Sequence, residues 1–206
     1  MKVGIVCEGR LAGEDAQVLE HFARRIVPQA SVKAFPQGNK LELFAKAGDV
    51  ARSLFDTGHD RVVIVWDILP RWDKPDGEAQ DLLDLQPSLV NAGVDTHPCL
   101  YKVAIHKELE AWLLADGAAL SALLSRPAHP VTVNDSKNAE AEGNPKKKLE
   151  KLFATHNVPF GPQPPQGSYQ PKLAALRIAE KVPANFGQLG KLKAFKRFGR
   201  ALTAPC

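Results

Sequence analysis

Acidic residues follow three apolar segments of this 206-residue sequence at the points where those segments end. Glu8 and Asp67 come directly after two of these segments, and Glu108 and Glu110 come shortly after another. Carboxylates that meet without partners raise one another's pKa, and a divalent cation removes that cost. A few carboxylates, water and substrate phosphates are the usual ligands of Mg²⁺. The pattern therefore favours metal-dependent phosphodiester chemistry, in which the metal activates water.

The segments that would position these acids alternate between apolar runs and amphipathic stretches. Strands are predicted at residues 2–7, 31–35, 62–66 and 100–105. Helices are predicted between them at residues 15–27, 41–55 and 78–92. This order predicts an α/β fold with right-handed crossovers and a mostly parallel sheet of about four strands flanked by helices. Because ligands bind at the carboxyl ends of parallel strands, we expect the acids to converge there.

The rest of the chain is predicted to be helical and irregular. Residues 107–124 read as a helix with a break near Gly117, and residues 126–144 read as a linker. Asn144 and Pro145 are typical of the start of a helix. Residues 161–167 (GPQPPQG) are too rich in Pro and Gly for regular structure, and further helices are predicted at 171–181 and 189–202. We predict an α/β domain over residues 1–125 and a helical, basic extension over residues 126–206 that packs on it.

Charge is divided unequally along the chain. Residues 1–136 hold 14 Lys and Arg against 19 Asp and Glu, a net charge of −5, and residues 137–206 hold 13 against 4, a net charge of +9. This division favours an acid-lined site in the first part and contact with a polyanion in the second. Lys and Arg neutralise the phosphates of nucleic acid. The candidate phosphate-binding residues of the basic part are Lys146, Lys147, Lys196 and Arg197.

These features also have ordinary structural interpretations. A single acid after a strand is commonly a solvated loop residue or a helix cap. Glu14 and Asp15 suit the N-terminus of a helix as well as a metal site. Phe195 and Phe198 either stack on bases or pack into the core. Only the combination of acids at several strand ends with a basic extension favours a nucleic-acid enzyme.

Other function classes lack their motifs. Cys7, Cys99 and Cys206 are an odd number without CxxC spacing, which predicts neither a disulfide framework nor a zinc site and favours a reducing cytoplasm. The absence of GxGxxG and of GxxxxGKS/T disfavours a dinucleotide enzyme and a P-loop ATPase. No segment has the apolar length of a signal peptide or of a membrane span, so no association with a membrane is expected.

Several motifs together match a known pattern. The most specific is ELEAWLLAD at residues 108–116. The others are Glu8-Gly9 with Glu14, Gly38 with Lys40, the strand-end Asp67, NPKK at 144–147, Tyr169 with Lys172, and AFKRF at 194–198. On these motifs, which cover most of the chain, the sequence resembles the TOPRIM-type fold of topoisomerases, primases and OLD nucleases. Among these, it resembles more closely a group of bacterial proteins related to OLD nucleases.

The resemblance implies a TOPRIM-like nuclease that uses Mg²⁺ or Mn²⁺ to cleave DNA or RNA, in a bacterial defence or mobile-element setting. The candidate catalytic residues are Glu8, Glu14, Asp67, Glu108 and Glu110. Of these, Glu8, Asp67 and Glu110 would hold the metal, and the others would be additional ligands or a general base. Lys40 and Lys172 would contact phosphates of the substrate.

The sequence departs from the TOPRIM pattern after the third strand. The pattern has Asp-x-Asp there, whereas Asp67 is followed by Ile68 and Leu69, with Asp73 as a substitute acid nearby. One hypothesis is a rearranged catalytic site. The alternative is a non-catalytic module that keeps the fold and binds nucleic acid or a partner protein such as an ATPase. A third hypothesis is a phosphate-ester hydrolase or nucleotidyl transferase with a small substrate.

Overall fold

A four-stranded, all-parallel sheet lies in the computed structural model, which describes residues 1–10, 13–69, 77–156 and 171–206. In the last of these segments, side chains are described from residue 174 onward. The strands are β1 (Lys2–Cys7), β2 (Ser31–Pro36), β3 (Arg61–Asp67) and β4 (Leu100–Ile105), in the spatial order β2-β1-β3-β4. All three strand pairs are parallel, and helices flank the sheet. The prediction of an α/β fold with a parallel four-stranded sheet is confirmed.

Helices occupy most of the remaining described chain. They are α1 (Glu14–Ile26), α2 (Lys40–Asp56), α3 (Glu78–Asn91), α4 (Leu109–Ala115), α5 (Gly117–Leu124), α6 (Pro145–His156), α7 (Pro171–Lys181) and α8 (Lys193–Thr203). Two short 3-10 helices, Ala139–Ala141 and Leu189–Lys191, lie among them. The Asn144 side chain accepts a hydrogen bond from the Lys147 backbone N–H at 2.8 Å, which confirms the predicted cap of α6. Residues 161–167 lie outside the described residues. No described helix has the length and apolar character needed to cross a membrane.

The chain divides into two compact units, one of residues 1–105 with 197–206 and one of residues 106–196. The predicted division after residue 125 rests on sequence character and stays a prediction. In the first unit, α1 packs against β1 and β2, while α2 contacts β1, β3 and α3. The strands are apolar because both faces are covered: Val3, Ile5 and residues 62–66 of β3 are almost fully buried.

A disulfide in the first unit corrects one expectation from the sequence. Cys99 and Cys206 are bonded to each other across 107 residues of sequence, whereas Cys7 is a free, buried thiol. Local spacing does not reveal such a pair, because the bond joins the residue before β4 to the last residue of the chain. The Arg61 guanidinium also donates to the Ala201 and Ala204 carbonyl oxygens, and the Tyr101 hydroxyl donates to Pro205 O at 3.0 Å. These contacts hold the C-terminal segment against β3 and β4.

In the second unit, the break predicted near Gly117 in the helix over 107–124 is confirmed: Asp116 separates α4 from α5 and caps α5 by accepting from the Ala119 N–H at 2.9 Å. The other predicted helix differs from the structure at its start. The helix predicted over 189–202 begins at Lys193, because the Glu140 carboxylate accepts from the N–H groups of Lys193 and Ala194 at 2.9 and 2.7 Å. This cap comes from a residue more than fifty positions away.

Candidate active site

The strand order reverses direction between β1 and β3. The chain passes from β1 to β2 on one side and returns through α2 to β3 on the other side. In open parallel sheets, ligands bind at such a switch point, at the carboxyl ends of the strands. Glu8 is the first residue after β1, and Asp67 is the last residue of β3. The two acids that the sequence places at strand ends are therefore both at the switch point of the sheet.

A hydrogen bond ties these two strand ends together. Glu8 Oε1 accepts from the Asp67 backbone N–H at 3.0 Å. Burial raises the pKa of Glu8 to about 7, while the hydrogen bond from Asp67 and the nearby positive charge of Lys40 lower it in part. The negative charges of Asp15 and Asp81 add to the increase. Glu8 thus changes its charge near neutral pH, which suits both proton transfer and the binding of a cation.

Two glycines fix the loop that carries Glu8. Gly9 and Gly38 exchange backbone hydrogen bonds of 2.7 Å in each direction, which joins the loops after β1 and β2. Both have positive φ, 114° at Gly9 and 86° at Gly38, where a side chain is strained. A Cβ at Gly38 would also collide with the Glu42 carboxylate. The glycines therefore hold Glu8 at the sheet edge.

A buried ion pair in the same unit includes Lys40, a predicted phosphate-binding residue. The Lys40 side chain is almost fully buried, and its Nζ donates to Ile68 O at 2.9 Å and to Asp81 Oδ2 at 3.1 Å. The Trp66 indole N–H donates to the same Asp81 oxygen at 3.0 Å. A phosphate contact by Lys40 would require this pair to open, so that role stays a prediction.

Asp81 and Trp66 were missed as partners in this network. A sequence signal for Asp81 does exist, because it lies four and eight residues before the fully buried Leu85 and Leu89 on the inward face of α3. An acid on the apolar face of a helix needs a buried partner. The sequence does not say which cation supplies it.

The remaining predicted acids lie in other places. Glu14 lies in the first turn of α1. The carboxylate close to Gly9 is that of its neighbour, Asp15. Glu108 and Glu110 belong to the second unit, where they stand at the start of α4. Glu108 Oε2 is buried without a hydrogen-bond partner among the described residues. Convergence of all these acids stays a prediction, and Asp73 lies outside the described residues.

Within the described ranges, no group of three or more His, Cys, Asp or Glu side chains is arranged to hold a metal ion. Burial and the surrounding carboxylates raise the pKa of the Cys7 thiol, beside Glu8, well above the usual range, which disfavours its thiolate form. Of the predicted site acids, Glu8 and Asp67 are the two at the switch point, and their role in chemistry stays a prediction.

Of the predicted phosphate-binding residues, some are exposed and one forms an ion pair within the protein. Lys146, Lys147 and Lys196 are exposed on α6 and α8. Arg197 forms a two-point ion pair with the Glu78 carboxylate, at 2.5 and 3.1 Å. Lys172 lies in α7, but its side chain is outside the described part, as is Tyr169. Contact of the exposed lysines with a polyanion stays a prediction.

The aromatic residues of the basic extension are core residues. Phe195 and Phe198 are 4% and 0% exposed, and Phe195 packs edge-on against Trp112 with ring centres 5.1 Å apart. Trp112 is itself fully buried. Of the two interpretations of these phenylalanines, core packing is the correct one, and stacking on bases is excluded for these residues in this conformation.

Comparison with known proteins identifies no relative. No family model, no curated protein and no solved structure matches this chain.

Proposed function

We propose that the chain is a TOPRIM-like, Mg²⁺-dependent phosphodiesterase that cleaves nucleic acid at the carboxyl edge of β1 and β3. The observation that carries the proposal is the pairing of Glu8 with Asp67 at the switch point of a parallel sheet. This is the place where such sheets bind ligands, and carboxylates are the side chains that Mg²⁺ prefers.

The donor set suits one kind of metal site. A site made by protein ligands alone does not fit, since the described residues contain no group of three suitable side chains. Mg²⁺, however, is commonly bound by one or two carboxylates, with water and substrate phosphates completing its coordination. Glu8 and Asp67 would hold the ion in this way. The bound ion would activate water and stabilise the leaving oxygen.

The other residues would hold the substrate and complete the site. The exposed Lys146, Lys147 and Lys196 would neutralise backbone phosphates of DNA or RNA. The Gly9–Gly38 contact would hold the Glu8 loop in place while the substrate binds. Glu14, Glu108 and Glu110 are the candidates for a further ligand or a general base, and single variants would show which of them is needed.

The test measures cleavage of plasmid and of single-stranded DNA and RNA by the full chain with Mg²⁺ or Mn²⁺. We expect Glu8→Gln and Asp67→Asn each to lower the cleavage rate by at least about 100-fold. Asp49→Asn is the matched control, because Asp49 is exposed on α2, and it should leave the rate unchanged. Equal rates in the wild type and both site variants would contradict the proposal.

The second candidate is a non-catalytic module that binds nucleic acid or a partner protein such as an ATPase. The missing third ligand among the described residues favours it. Calorimetric titration with Mn²⁺ separates the two candidates, because the enzyme requires metal binding that Asp67→Asn weakens. Salt-dependent binding of nucleic acid without any metal binding would favour the module.

A further inference from the structure

A cavity of about 340 Å³ lies in the second unit. Its described lining consists of Leu124, Arg126, His129, Val131, Thr155 and His156. Cationic and imidazole side chains line it from two segments, the turn after α5 and the end of α6, and none of these lining residues is an acid. Nothing in the proposed nuclease chemistry uses these residues.

Hydrogen bonds order the turn that carries Arg126 and His129. Arg126 and His129 exchange backbone hydrogen bonds of 3.1 and 3.0 Å. The Ser125 hydroxyl donates to Val131 O at 3.1 Å and accepts from the Val131 N–H at 2.9 Å. The two basic side chains therefore start from fixed backbone positions, which lowers the cost of ordering them around a ligand.

The side chains that line the cavity favour an anion. Arg126 contributes a positive charge to the lining, and each imidazole has at least one N–H in either charge state. The Thr155 hydroxyl donates to Lys151 O at 2.8 Å, so it adds no donor. Two imidazoles alone would also suit a transition metal, but the fixed positive charge of Arg126 and the lack of an acid or thiol in the described lining oppose a cation.

We infer that this cavity binds a phosphate monoester. The three oxygens of the phosphate can accept from donors that approach from two sides, and guanidinium groups bind phosphate with paired hydrogen bonds. The volume is at the lower end of the range for small-ligand sites, which leaves room for a sugar or base against Leu124 and Val131. The phosphate would come from a mononucleotide or from the end of an oligonucleotide.

Calorimetry with the full chain tests the inference. The probes are inorganic phosphate, adenosine 5′-monophosphate and adenosine, and a thymidine tetranucleotide with and without a 5′-phosphate. We expect the phosphorylated probes to bind and adenosine not to bind. Arg126→Gln and His129→Gln should each weaken binding by about tenfold or more. Arg126 and His129 are exposed, so these changes leave the core intact.

The control is Arg52→Gln, which removes an exposed arginine of the first unit and should leave the affinity unchanged. Tighter binding of the phosphorylated tetranucleotide than of the mononucleotide would identify the strand end as the source, and the reverse order would identify the nucleotide. Glu8→Gln should bind the probes like the wild type. Failure of this inference can therefore be distinguished from failure of the nuclease proposal. Four results would overturn the inference. Adenosine could bind as tightly as its phosphate, or both cavity variants could keep the affinity of the wild type. The probes could fail to bind at all, or Zn²⁺ alone could bind in a way that depends on His129.

Discussion

The Glu8 carboxylate accepts a hydrogen bond from the backbone N–H of Asp67 at 3.0 Å, and so links the ends of β1 and β3. The link places one acidic side chain directly over the point where the strand order reverses. Burial favours the protonated form of this side chain, whereas the N–H donor favours the ionised form. Burial is the larger influence, which has a measurable consequence for stability.

The raised pKa of Glu8, about 7 against an ordinary 4.5, predicts that the protein loses stability as the pH rises from 5 to 7. The folded protein holds the Glu8 proton more tightly than the unfolded chain does, so this contribution is complete below pH 4.5 and is lost as the pH passes 7. The slope is at most about 1.4 kcal/mol per pH unit. Urea unfolding of the wild type and Glu8→Gln at pH 5, 6 and 7, without divalent cations, measures it.

Glu8→Gln should lack this slope, because its amide stays neutral. Glu180→Gln, on the exposed surface of α7, should keep the slope of the wild type. If the stability of Glu8→Gln and of the wild type changes in parallel with pH, the Glu8 carboxyl does not titrate in this range.

The Lys40–Asp81 pair predicts strong coupling between two buried side chains. Asp81→Asn removes the negative charge that pairs with the almost fully buried ammonium of Lys40, and Lys40→Met leaves the Asp81 carboxylate with only the Trp66 N–H among its described hydrogen bonds. Each change should cost about 3 kcal/mol or more in the free energy of unfolding, and the double variant should cost clearly less than the sum. Chemical denaturation of the four proteins gives the coupling energy.

The Lys148–Glu142 pair, with N–O distance 2.6 Å on the surface of the second unit, is the control for this cycle. Lys148→Met and Glu142→Gln should show a coupling energy below about 1 kcal/mol, because water screens an exposed pair. Coupling of the same size in both pairs would mean that Lys40 and Asp81 are solvated.

The disulfide predicts that stability depends on reductant. Cys99 and Cys206 close a segment of 107 residues, and removing a link across a loop of that length costs about 3–5 kcal/mol through the unfolded chain. Urea unfolding should show this loss for the wild type with reductant and for Cys206→Ser without it. Reductant should then have no further effect on Cys206→Ser. The oxidised wild type, once denatured, should show one free thiol, that of Cys7, and a count of three would contradict the bond.

Local patterns predicted the parts of the fold that depend on local physics. The strands predicted at residues 2–7 and 100–105 have the observed bounds of β1 and β4, and the Asn144 cap marked the start of α6. Contacts between residues that are far apart in the sequence could not be predicted. The start of α8 depends on Glu140, and the burial of Lys40 depends on Asp81, so neither follows from the residues next to it.

The candidate site could also be predicted only in part from the sequence. Glu8 and Asp67 could be placed at the carboxyl edge of the sheet because a parallel sheet brings strand ends together. The hydrogen bond that joins them could not be predicted, since it depends on the side-chain conformation of Glu8. Whether Glu14, Glu108 or Glu110 join them depends on loop geometry that apolar patterning does not encode.

The Glu20–Arg24 pair of α1 predicts a barrier to self-association at the edge strand β2. Arg24 Nη2 donates to Val32 O at 3.3 Å and Glu20 Oε1 accepts from the Ala34 N–H at 2.8 Å, so side chains satisfy outward backbone groups of β2. Unpaired edge groups are templates for pairing with another chain. Glu20→Ala with Arg24→Ala should therefore increase concentration-dependent association, measured by light scattering, at a stability cost of about 1–2 kcal/mol. Arg52→Ala with Asp56→Ala removes an exposed pair of α2 with the same spacing, and should stay like the wild type. Association that rises equally in both double variants would implicate lost surface charge rather than the edge of β2.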